Sequence, residues 1–184
     1  MKTNGRGWLL LVAGLSLLPF PSCLKTSADG GAQESSTSVI ATAGPIELET
    51  VPQRVSLTAS PGKGLETDQP VSLVLHDLRA TEQPGVVYHL YLDLPPGATP
   101  EQDDPRYIGT FNFYDAIPID AGDSDGRETP GKSSGFFSYD ISGTARTLRG
   151  RGMLSERTTV TIRAGGTPTP GAKPVIGRME LVRQ

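Results

Sequence analysis

One cysteine and two histidines are all the thiol and imidazole chemistry that 184 residues carry. A single thiol excludes any disulfide within the chain. Two imidazoles fall short of the three protein ligands a catalytic zinc ion takes as a rule, and further short of a coupled dicopper oxygen site. A blue-copper centre needs a thiolate beside two imidazoles, and the lone Cys23 stands at the end of an apolar leader rather than among the strands. Charge of one sign is equally scarce. With 17 Lys and Arg against 20 Asp and Glu the net charge is -3, so no basic field is available to gather nucleic acid. Long apolar runs are missing too, since the stretch 8–18 is shorter than the ~20 residues a permanent membrane span requires.

That apolar stretch has a different meaning. Lys2 and Arg6 precede it, and Pro19, Pro21 and Ser22 follow it, which is the three-part pattern of an export leader over residues 1–22. The run Phe20-Pro21-Ser22-Cys23 resembles the lipobox of bacterial lipoproteins, although Phe20 stands where Leu, Val or Ile is usual. Acylation of Cys23 after cleavage would make the protein a cell-envelope lipoprotein held at a membrane. The alternative is a secreted or periplasmic protein cut elsewhere. Residues 23–46 are rich in Ser, Thr, Ala and Gly, bury too little surface to offset chain entropy, and predict a flexible tether.

From residue 47 to 184 the periodicity is that of strands. Apolar residues alternate with polar ones in 55–59 and 71–75, and most clearly in 86–94, where Val86, Tyr88, Leu90, Leu92 and Leu94 share one face. Val87, His89, Tyr91 and Asp93 share the other. Runs at 107–114, 136–141, 158–163 and 175–182 behave alike, each bounded by Gly, Pro or Asp. The 22 Gly and 16 Pro fall mostly between these runs. The expected fold is all-β, an antiparallel β-sandwich of about seven or eight strands. One short helix interrupts it: Ile141, Ala145 and Leu148 are spaced i, i+4, i+7, with Ser142 as cap and Gly150 or Gly152 as stop.

Few motifs on this scaffold carry chemistry. His76 and His89 are expected on the polar faces of adjacent strands, the only imidazole pair from which a weak surface copper or zinc site could be drawn. The acidic run from Asp120 to Glu128 has only half the spacing of a calcium loop and is expected to be a solvated hairpin connection. No Gly-x-Ser-x-Gly elbow is present, and Gly165-Gly166 and Gly150-Arg151-Gly152 are turns rather than phosphate cradles. The expectation is a protein without catalytic residues and without a cofactor.

The run Tyr88-His89-Leu90-Tyr91-Leu92-Asp93-Leu94-Pro95-Pro96-Gly97-Ala98, followed by Tyr107-Ile108-Gly109-Thr110-Phe111-Asn112-Phe113-Tyr114, resembles the C-terminal domain of bacterial tyrosinases and plant polyphenol oxidases. Phe137-Ser138-Tyr139-Asp140-Ile141, Thr159-Val160-Thr161-Ile162-Arg163 and Val175-Ile176-Gly177-Arg178-Met179-Glu180-Leu181 are similar to that domain's closing elements. The resemblance covers about residues 71–182. It implies a non-catalytic β-sandwich that lies over the entrance of a helical, histidine-rich copper domain, for which this sequence holds no counterpart. Two functions follow as expectations. One is an accessory or shielding partner of a separately encoded type 3 copper oxidase, with Tyr107, Tyr114 and Phe136 as contact residues. The other is a free-standing adhesion or ligand-binding module, since a fold does not fix a function. Phe111 and Phe113 are expected in the core.

Overall fold

The computed structural model describes residues 37–60, 65, 69–99, 101, 103–118 and 135–184. The export leader, Cys23, the first part of the expected tether and the acidic run 120–128 lie outside the described residues. The chain divides into two units, Met1–Glu34 and Ser35–Gln184, and the described residues belong to the second.

Two sheets face one another, as expected of a sandwich. The first has the order β4 (Thr58–Ala59), β1 (Ser38–Ala43), β11 (Val175–Arg183), β5 (Val71–Ala80), β8 (Ile117–Pro118), with β2 (Ile46–Glu47) beside β11 and β9 (Gly135–Asp140) beside β5. The second runs β3 (Gln53–Ser56), β10 (Thr159–Ala164), β6 (Tyr88–Leu92), β7 (Tyr107–Phe111). All pairs are antiparallel except the two-residue contact of β8 with the end of β5. The strand count exceeds the expected seven or eight because the run 53–59 crosses between sheets at the buried Leu57, splitting into β3 and β4, and because short pieces pair at the margins.

The stretch 23–46 is not tether throughout. β1 inserts between β4 and β11, burying Ile40 and Ala41. Two ready-made ladders satisfy its backbone, so two buried apolar side chains suffice to hold a segment that composition alone marks as unable to fold.

Alternation places the core as predicted. Leu73 and Leu75 of β5, Tyr88, Leu90 and Leu92 of β6, Val160 and Ile162 of β10, and Ile176 and Leu181 of β11 are all buried between the sheets. Each such side chain contributes roughly 1.5–3 kcal/mol relative to exposure. The helix α1 (Ser142–Gly150) seals one end with Ile141, Ala145 and Leu148. Its start differs from expectation. Ile141 is the N-cap and Ser142 the first helical residue; Asp140 Oδ1 accepts the Ser142 N–H at 2.9 Å and the Ser142 hydroxyl at 2.5 Å, and these bonds hold its carboxyl below the usual range. Ser142 Oγ in turn accepts the Val71 N–H at 2.9 Å, tying the helix to β5. The helix ends as a Schellman turn: Gly152 at φ 65° donates to Arg149 C=O (3.0 Å) and Met153 to Leu148 C=O (2.8 Å).

The far face of β6 is not solvent-facing throughout. Tyr91 and Asp93 are as buried as the core face. Asp93 takes φ 49°, and its carboxylate accepts the Ser155 N–H (2.9 Å), the Thr159 N–H (2.7 Å) and the Thr159 hydroxyl (3.1 Å), fastening the segment after the helix to the start of β10. Tyr88 has the opposite problem. Its hydroxyl is buried with no hydrogen-bond partner, and burial pushes its pKa up to about 12.

These two sites predict changes of opposite sign. Asp93→Ala strands two backbone N–H groups and should cost about 2–4 kcal/mol of unfolding free energy. Tyr88→Phe removes an unsatisfied polar atom and should leave stability unchanged or raise it by up to ~1 kcal/mol. Chemical denaturation of both variants checks the pair.

Candidate functional site

The sheets are locked together along the side where β7 of one meets β9 of the other. β9 presents Phe137 and Tyr139 inward, stacked at 7° with centroids 6.4 Å apart. Phe137 meets Phe111 of β7 edge-on at 6.1 Å, and behind it Phe111, Phe113 and Tyr88 pack within 5.3–5.8 Å of one another. Tyr139 donates its hydroxyl hydrogen to Thr110 C=O at 2.6 Å, and its ring covers Gly109 so closely that a Cβ there would lie 2.9 Å from it. Burial, with Tyr107 nearby adding to it, holds the Tyr139 phenol above the usual range.

The residues between these inward positions face out. Phe136 lies next to Phe137 on β9 and is 58% exposed; Tyr114 follows Phe113 just past β7 and is 69% exposed. The two flank the same length of chain. Tyr114 precedes β8 and Phe136 follows the first residue of β9; β8 pairs with Arg79 and Ala80 of β5, and Gly135 at the start of β9 pairs with Leu78. Gln83 Nε2 donates to Tyr114 C=O at 3.0 Å, and Asp115 C=O lies 3.8 Å from the position a Cβ would take on Gly135. Scattered large apolar residues are normal on a surface, and Phe136 and Tyr114 are exposed aromatics of the kind that anchor partners, the surface around Phe136 being the candidate contact patch.

A bulge in β5 adds polar groups to this patch. Between Leu75 and Leu78 the register against β9 gains one residue on β5, so His76 and Asp77 stand opposite Phe136 alone. Asp77 takes φ 56°, and opposite it on β11 Gly177 is obligatory, since a Cβ there would lie 2.6 Å from Asp77 Cβ. The His76 ring packs at 5.4 Å from Phe136. Its Nε2 lies 3.1 Å from Glu180 Oε2, while Arg178 Nε lies 3.2 Å from Glu180 Oε1. Phe136 thus packs against an imidazole that is itself paired with the nearly buried Glu180 carboxylate, which the exposed Arg178 guanidinium also meets.

The two histidines are not neighbours. His76 is on β5 and His89 on β6, in different sheets. His89 pairs in register with Arg163 and Thr110, and its ring lies 6.1 Å from that of Tyr107. Its Nδ1 is buried without a hydrogen-bond partner. Among the described residues no group of three His, Cys, Asp or Glu side chains converges as a metal cluster. Tyr107 is half-buried between His89 and Tyr91 on the second sheet, apart from Phe136 on the first. Phe111 and Phe113 are core, at 1% and 2% exposure. The sequence reading missed the link from Phe136 through His76 to Glu180 and Arg178. Its one local signal was the break in alternation between Leu75 and Leu78.

The described residues define an all-β sandwich with exposed aromatics on its surface. In comparisons with known proteins, no family model and no curated protein matches the chain. Among solved structures it aligns over 77% of its length with a latent aurone synthase, a polyphenol oxidase, at 18% identity and a TM-score of 0.44. It aligns over 75% with the latent apple tyrosinase, at 15% identity and a TM-score of 0.43. The chain spans 25% and 27% of those two proteins. The fold itself stands on the strand pairings above.

The division between core and surface aromatics has a thermodynamic consequence. Phe136→Ala and Tyr114→Ala should each change unfolding free energy by less than ~1 kcal/mol, as surface positions do. Phe111→Ala should cost roughly 3–5 kcal/mol. Thermal and denaturant unfolding of the three variants measures the contrast.

Proposed function

We propose that this domain works by surface contact, as a non-catalytic accessory that docks on a separately encoded type 3 copper oxidase and shields the entrance to its site. The observation that carries this reading is the exposure of Phe136 on β9 and of Tyr114 in the turn after β7, beside the buried rings Phe111 and Phe113. Aromatic rings have few rotatable bonds to immobilise on binding, which is why such residues dominate the energetics of interfaces. His76 against Phe136, with its partner Glu180, supplies polar groups beside the ring. The ordered segments from Tyr88 to Leu181 that resemble the tyrosinase C-terminal domain point to the kind of partner. In the same reading, an acyl chain on Cys23 holds the domain at the cell envelope, where an exported oxidase would meet it.

The test pairs the purified full chain with a histidine-rich copper oxidase from the same cell that has no sandwich domain of its own. The expected result is co-elution and a lowered kcat/KM for phenol oxidation, with the double variant Tyr114→Ala/Phe136→Ala binding at least about tenfold more weakly, the loss of ~1.4 kcal/mol or more that truncating an interface anchor produces. Absence of co-elution together with unchanged oxidase kinetics would refute it.

A further inference from the structure

β1 is the first described strand of the unit Ser35–Gln184, so the link Ala43-Gly44-Pro45 alone joins it covalently to the strands that follow. Its hold on those strands is almost entirely backbone. Ser38, Val39 and Ala41 to Ala43 pair with β11, Ala41 and Thr42 pair with β4, and the Ile40 carbonyl accepts the Ser60 N–H at 2.8 Å. Only Ile40 and Ala41 reach the core, at 1% and 4% exposure. Among the described residues no side-chain hydrogen bond or ion pair fixes β1 in place. Main-chain ladders and two apolar contacts do not distinguish one copy of the chain from another, so the β1 of a second copy would fit the same slot.

The slot demands a strand. With β1 withdrawn, β4 and β11 would each present unpaired N–H and C=O groups, and the seat of Ile40 in the core would lie open to water. Such an edge recruits whichever strand is at hand. The link is suited to letting β1 go. Pro45 has a fixed φ and disfavours a helical turn at the residue before it, which keeps the connection extended. Gly44 at φ 139° holds a conformation open to glycine, and rotation there swings β1 away while β2 stays paired with Val175 and Ile176 of β11.

We propose that β1 exchanges between two copies of this chain, each copy's β1 completing the other's first sheet between β4 and β11. The exchange is reciprocal, so the dimer closes on itself with twofold symmetry. It is independent of the docking patch and of any oxidase partner.

The test uses Val39 and Val182, which stand opposite one another in the β1–β11 register and outside the core cluster. Directly opposed residues of an antiparallel pair lie about 4.5–5.5 Å apart, within the span a disulfide closes. In the purified full chain carrying Cys23→Ser, Val39→Cys and Val182→Cys are made singly and mixed under oxidising conditions. The expected result is a disulfide-linked heterodimer, in at least about tenfold greater yield than when Val39→Cys is mixed with Val87→Cys, because exchange sets residue 39 of one copy on residue 182 of the other. Val87 is an exposed control just before β6. The double variant Val39→Cys/Val182→Cys, oxidised while dilute so that the pair closes within one chain, should stay monomeric by light scattering at concentrations where its reduced form dimerises. Equal yields in the two mixtures, a dimer in the locked chain, or no dimer at any concentration would each overturn the proposal. Should circular dichroism show that Val182→Cys does not fold, Ser38→Cys and Arg183→Cys, also opposed in the ladder, replace the pair with the same expectations.

Discussion

Tyr139 laid flat on Gly109, with its hydroxyl on the Thr110 carbonyl, is the contact through which the two sheets become one object on their aromatic side. β9 belongs to one sheet and β7 to the other, and no backbone ladder joins them. Close approach is possible because residue 109 lacks a side chain, and it draws Phe137 onto Phe111. Once those rings are inside, a period of two leaves no choice for their neighbours. Phe136 is exposed because Phe137 is not. Tyr114 is exposed in the turn that follows the buried Phe113. At Phe136 the surface that the proposed function uses is therefore the reverse side of the core.

Much of this was legible from alternation alone. The runs at 71–75, 86–94, 107–114, 136–141, 158–163 and 175–182 all form strands, and Ile141, Ala145 and Leu148 form the buried stripe of the helix, because burial on one face leaves a direct mark on sequence. What stayed hidden depends on partners distant in the chain. β1 reads as linker until β4 and β11 supply ladders on both sides. Asp93 reads as an outward polar residue until the Ser155 and Thr159 amides converge on it from more than 60 positions away. Ser142 carries the residue type of a helix cap, but it is the first helical residue; Asp140 accepts its N–H and its hydroxyl oxygen receives the Val71 N–H of β5 instead.

The candidate site divides the same way. Exposure of Phe136 follows from the pattern, whereas its contact with His76, and through it the link to Glu180 and Arg178, goes with a bulge in β5 that shifts its phase between Leu75 and Leu78. His76 and His89, close in sequence, are separated because the chain changes sheets between β5 and β6. Sheet membership is a property of topology, and it decides which side chains can act together.

The inter-sheet contact is tested most directly by a double-mutant cycle on Gly109→Ala and Tyr139→Ala, read by denaturant unfolding. If the ring on Gly109 couples the sheets, Gly109→Ala should cost roughly 1–3 kcal/mol with Tyr139 present, as overpacking does, and much less once the ring is gone, giving a strongly non-additive cycle. Costs that add within about 0.5 kcal/mol would show that the two residues act independently and that the sheets are held together by other means.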